Sequence, residues 1–66
     1  MRMNLKLFRV GRNLSQRKMA ELLGVSYVTY SHIELGKRVG RPKFWRNLQN
    51  VFSVADEDMY SLMKTE

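Results

Sequence analysis

Cysteine is absent from these 66 residues, so neither disulfides nor thiolate metal sites can staple the fold. The single histidine, His32, has no carboxylate at a spacing that suggests a catalytic dyad or a metal site. No glycine pattern follows a strand in the manner of a phosphate-binding loop, because the chain contains no convincing strand. Apolar runs stop well short of the ~18 residues of a membrane-spanning helix. The N-terminus also lacks the apolar core of a signal peptide, so the cytoplasm is the expected compartment. Asp56, Glu57 and Asp58 are adjacent, hence splayed around a helix start, and read as a dipole-complementing cap rather than an acid–base pair. No enzymatic activity, metal site, cofactor or small-molecule ligand is expected.

Acidic residues are scarce too. Six Asp and Glu stand against twelve Lys and Arg, for a formal net charge of +6, which points to a polyanionic partner. Nucleic acid and an anionic membrane surface both qualify. Membrane-binding helices mass their cations on one polar face opposite a broad apolar one. Here the basic residues are densest in the segment Lys37–Lys43, and the helices read as parts of a folded core, so nucleic acid is preferred. A hydrophobic content of 44% suits a compact helical bundle rather than a disordered tail. The length allows one domain, residues 1–66, with one small core. A chain this short buries only ~60% of its unfolded surface, so dimerisation would help it.

Five helices fit the apolar spacing, which makes the expected class all-α. The first runs from about Asn4, a plausible cap, to Arg12, with Leu5 and Phe8 inward and Gly11 and Asn13 marking its end. Ser15 caps the second, whose inward stripe is Met19, Ala20 and Leu23. Gly24 can take the left-handed backbone that ends a helix, at a position where a side chain would clash. Val25 can pack inward, and Ser26 caps a third helix reaching about Gly36. Pro42 suits the first turn of a fourth helix, with Phe44, Leu48, Val51 and Phe52 at helical spacing and Val54 closing the turn beyond. A fifth helix runs from about Asp56 to Met63. Two helices joined by a short glycine-containing turn, about residues 15–35, have the sequence form of a helix-turn-helix, whose second helix enters the DNA major groove.

At roughly 100° per residue, Ser26, Thr29, Tyr30 and Ile33 share one side of the third helix. Tyr27, Val28, Ser31, His32 and Leu35 share the other, and that arc carries no charge although solvated helix faces normally do. Hydroxyl, phenol, imidazole and apolar groups can hydrogen-bond to base edges or pack on thymine methyls. A protein–protein contact through Val28, Leu35 and Tyr27 is the alternative, as in an antitoxin-type module. Gln16, at the start of the second helix, is placed to hold a DNA phosphate. Lys37, Arg38, Arg41 and Lys43 surround a turn next to the third helix and are candidates for phosphate contacts. Arg9 and Glu34, charges at the edges of apolar stripes, are candidates for an ion pair between the first and third helices. Trp45 could serve the core, the third helix or a dimer contact; core packing fits best.

LSQ at 14–16, MAELLGVS at 19–26, IELGK at 33–37 and RPKF at 41–44, followed by Leu48 and Val54, together resemble the Cro/repressor type of helix-turn-helix protein. This is the Xre-like group that includes lambdoid phage repressors, and the likeness covers nearly the whole chain. It implies a five-helix, lambda repressor-like DNA-binding domain that binds a palindromic operator in double-stranded DNA as a homodimer and regulates transcription. Position by position it implies a phosphate contact for Gln16 and base reading by Tyr27, Val28 and His32, with Ser31 between them. It further implies a backbone-contacting loop at Lys37–Lys43 and a structural ion pair of Arg9 with Glu34. The chain departs from the group at Tyr27 and Val28, where glutamine or arginine is frequent. Apolar thymine contacts or shape reading take the place of bidentate readout there. Leu35 replaces a position that is often polar, and Tyr30 a smaller aliphatic, so the Tyr30 hydroxyl needs a partner if buried. Ser53 stands where a helix-ending glycine is usual, and Asp56 where an apolar residue is common.

Overall fold

Local chemistry marks four of the five helix starts, two of them through serine caps, one through a first-turn proline and one through first-turn acidic residues. The computed structural model describes all 66 residues and contains α1 (Met3–Val10), α2 (Gln16–Leu23), α3 (Tyr27–Glu34), α4 (Pro42–Phe52) and α5 (Asp56–Met63), with no strand. The Ser15 hydroxyl accepts the Lys18 backbone N–H at 3.0 Å, and the Ser26 hydroxyl accepts that of Thr29 at 3.1 Å. Each serine thereby satisfies one of the orphan donors at a helix start. Pro42 occupies the first turn of α4, and Asp56, Glu57 and Asp58 that of α5. No helix is long and apolar enough to cross a membrane.

Three expectations need correction. Asn4 does not cap α1; it lies inside the helix, and its Nδ2 donates to Ser61 Oγ on α5 at 2.8 Å. The start is fixed instead by a tertiary bond, the Arg2 N–H donating to the Glu34 carbonyl at the end of α3 (2.8 Å). Val51 shares the apolar spacing of α4 but is exposed, because the inner stripe is filled by Phe44, Trp45 and Leu48. Gly24 does adopt a left-handed backbone (φ 70°), yet a Cβ there would meet nothing within 4 Å. Backbone conformation, and not space, is what favours glycine at that turn.

Beyond Gly24 the chain reverses, Val25 packs against the core, and α3 begins three residues on. Leu5, Met19, Ala20, Leu23, Tyr30, Ile33, Phe44, Trp45, Leu48, Met59 and Leu62 form one hydrophobic cluster drawn from all five helices. α2 packs on α3 and α4, while α1 packs on α5 and α3. Phe8 of α1 meets Phe52 of α4 edge-on, ring centroids 5.2 Å apart. Such pairs add to what area burial alone supplies. For function the consequence is that α3 is supported from behind by α1 and α2, leaving one long side free.

Candidate nucleic-acid interface

Burial divides α3 lengthwise. Tyr30 and Ile33 face the core, whereas Tyr27, Val28 and Leu35 are exposed, Val28 by 55%. Ser31 and His32 are half-buried between them. No charged side chain occupies this outer face, so what it offers is three hydrogen-bonding groups and two apolar ones. The Arg17 guanidinium lies 4.4 Å from the Tyr27 ring centroid, a cation–π contact that steadies the phenol where α2 meets α3. Nothing in the sequence marks Arg17 for this role, since no periodicity links residues on different helices.

The posture of α3 is set at one carboxylate. Glu34 is buried, and Arg9 approaches it with two donors, Nε to Oε2 at 2.9 Å and Nη2 to Oε1 at 3.1 Å. The Tyr30 hydroxyl donates to Oε2 at 2.7 Å and Gln16 Nε2 donates to Oε1 at 3.0 Å. Arg9 also donates to the Leu14 carbonyl at 2.7 Å. Burial alone would push the Glu34 carboxyl up. Hydrogen bonds from Arg9, Tyr30 and Gln16, with the Arg9 charge, outweigh that and hold it below the usual carboxylate range. The hydrogen bond to Glu34 raises the Arg9 guanidinium, and burial, followed by the bond to Glu34, raises the Tyr30 phenol. The Tyr30 hydroxyl thus has its partner inside the core. Gln16, read from the sequence as a phosphate ligand, spends one amide hydrogen on this cluster. Its second, with the first N–H groups of α2, is left for an outside acceptor.

Positive charge is concentrated beside this face. Lys37, Arg38, Arg41 and Lys43 are all exposed. Of the twelve basic residues, only Arg9 and Lys18 have a carboxylate within ion-pair distance. From Gly24 to Ala55 the sole acidic residue is Glu34, already buried and paired with Arg9, and no loop cation forms an ion pair. The loop is shaped at Gly40, whose φ is 84° and whose added Cβ would lie 2.7 Å from Trp45 Nε1. Trp45 itself is core, with its indole N–H donating to the Val39 carbonyl at 3.2 Å. Arg2, absent from the sequence-based candidates, is buried under this loop. A lone arginine ahead of the first helix belongs to no pattern that would mark it.

A capped helix, a left-handed turn and a second helix with its outer face free constitute the geometry of one motif. A family model described as helix-turn-helix domain matches residues 2–62. The chain belongs to the helix-turn-helix domain family. Comparison with curated proteins and with solved structures returns no match. Within the helix-turn-helix, α2 is the supporting helix and α3 the recognition helix, which in this motif lies in the major groove. The membership supports a DNA-binding regulator, and it agrees with the resemblance carried by the sequence fragments.

Proposed function

We propose that this chain is a cytoplasmic, sequence-specific transcriptional regulator, a repressor that binds a palindromic operator in double-stranded DNA as a homodimer. Residues 1–66 act as one domain, with the helix-turn-helix at about 15–35. Tyr27, Val28, Ser31 and His32 meet base edges, Val28 as an apolar partner for a thymine methyl and Ser31 and His32 as hydrogen-bonding groups. Gln16, Lys37, Arg38, Arg41 and Lys43 hold phosphates and set the register. Arg9 and Glu34 fix the angle at which α3 is presented. The observation that carries this reading is an uncharged exposed face on a recognition helix, bordered by a loop whose cations lack carboxylate partners. Exposed apolar residues on α1 and α5, including Tyr60 at 86%, support the dimer. Occupying an operator excludes other proteins from it, which is repression.

The test is a titration of duplex DNA at several salt concentrations. Binding through phosphates gives a log–log slope of about −0.9 for each phosphate neutralised by a cation, so Lys37, Arg38, Arg41 and Lys43 predict about −3.6 per protomer, the uncharged Gln16 adding nothing to the slope. Exposed Val28 and Leu35 on the same face favour one rival, a protein-binding module. That rival predicts no response to any duplex, or a response indifferent to salt.

A further inference from the structure

Arg2 is 5% exposed, and no carboxylate lies within ion-pair reach of it. A buried charge of this kind is costly unless it is fully hydrogen-bonded. Here four carbonyls accept it. Nε donates to Met63 O at 3.0 Å, Nη1 to Ile33 O at 2.6 Å and to Arg38 O at 2.8 Å, and Nη2 to Val39 O at 3.2 Å. The Ile33 and Met63 carbonyls belong to the last turns of α3 and α5, the ends where a helix favours a cation. The guanidinium carbon also sits 5.4 Å from the Trp45 ring centroid.

The other two carbonyls lie in the basic loop. Three side-chain donors reach the carbonyls of Arg38 and Val39, and two of the three belong to Arg2, the third being the Trp45 indole. An apolar residue of equal volume would fill the same space at less desolvation cost. It would not join the end of the recognition helix, the end of α5 and the loop at one point. We propose that Arg2 is a positioning residue for DNA binding: it clamps residues 38–39 against Trp45, so that Arg38 and Arg41 are held at the distance from α3 that the duplex backbone requires. The clamp rests on the duplex-binding reading above for its purpose, though not for its existence. Arg2 never touches DNA itself; its effect passes through the loop.

The experiment compares wild type, Arg2→Met, Arg2→Lys and Arg41→Ala, with the Arg2→Met/Arg41→Ala double variant. Binding to a mixed-sequence duplex of about 20 base pairs is followed as a function of salt, beside the emission of Trp45, the only tryptophan. Arg2→Met is expected to bind about tenfold more weakly near 0.1 M salt, with a slope shallower by about 0.9 for each loop phosphate lost. Its Trp45 emission shifts to the red as the loop lifts and water reaches the indole. Arg41→Ala then costs less in the Arg2→Met background than in wild type, since the loop is already displaced, and the cycle is non-additive. Arg2→Lys does not restore binding, because a point charge cannot meet four diverging carbonyls. An unchanged slope with additive effects, lowered stability alone, or full rescue by lysine would overturn the clamp. If Arg2→Met fails to fold, Arg2→Lys takes its place in the same measurements, and wild-type slope and emission in that variant would overturn the clamp. If wild type binds no duplex, the DNA reading fails separately, and hydrogen exchange at residues 37–41 decides the clamp: protection equal to wild type in Arg2→Lys rejects it.

Discussion

On the proposed duplex-binding reading, single side chains divide into those that read, those that hold and those that orient. His32 lies on the outer face of α3 and Arg41 in the exposed loop, so truncating each has a different signature. His32→Ala changes the ranking of duplex sequences by about 1 kcal/mol at one base pair, the low end for a lost base contact. Arg41→Ala weakens all duplexes alike and flattens the salt slope by about 0.9. Equal losses on every sequence from both variants would cancel the distinction. Glu34 orients. Its carboxyl is held below the usual range, so its contribution to stability is present above the unfolded carboxylate value near pH ~4.3. That contribution is lost as pH falls through the lower folded value. The stability of Glu34→Gln in urea therefore falls by about 3 kcal/mol at neutral pH, the low end for breaking a buried pair. It also declines less steeply than that of wild type on acidification below about pH 4. A parallel acid limb would remove Glu34 from the pH response.

Helices begin and end where backbone geometry permits, and this scale was the most legible from residue order. Serines 15 and 26, Pro42 and the acidic run at 56–58 announce helix starts because capping is local chemistry. The same locality explains the failure at α1, whose start is made by the Glu34 carbonyl, far along the sequence, and not by Asn4. The uncharged arc of α3 was legible from helical period. Its ties to α2 and the loop, through Arg17, Gln16 and Arg2, were not, because contacts between elements leave no periodic trace. Helix ends give a graded stability test. Ser53 is left-handed (φ 52°) without being glycine, a strain of about 1 kcal/mol for a residue with a Cβ. Ser53→Gly is expected to raise stability by about that much in urea denaturation. Gly24→Ala lowers it by a similar ~1 kcal/mol, from conformation alone, since its Cβ meets open space. Gly40→Ala costs more, adding a collision with the anchored Trp45 indole to the same strain. If Gly24→Ala proved the more damaging of the two, the packing between Gly40 and Trp45 would not be rigid.

At the scale of the whole molecule, dimension constrains how the proposed homodimer is built. The body measures 27 × 24 × 23 Å, so two copies in contact have centres roughly 25 Å apart, each about 12 Å from the twofold axis. Recognition helices reading half-sites one turn apart must sit ~34–36 Å from each other, or ~17 Å from that axis. Each α3 must then lie several ångströms farther out than the centre of its own body, which puts the contact on a side away from α3. The free apolar residues of α1 and α5 satisfy this: Leu7, Val10, Tyr60 and Met63 are exposed, and α5 packs on α1 rather than against α3. Duplexes carrying two half-sites should bind tightly when their centres are about 10 base pairs apart. Inserting about 5 base pairs turns the second half-site to the opposite face of the DNA, and affinity should fall to that of a single half-site. Tyr60→Glu should abolish the tight mode, through a buried charge at the contact, and leave single-half-site binding intact because α3 and its loop are untouched. Spacing-independent affinity, or a Tyr60→Glu protein that still prefers the one-turn spacing, would place the axis elsewhere. In that case the apolar residues of α1 and α5 would have no part in pairing the recognition helices.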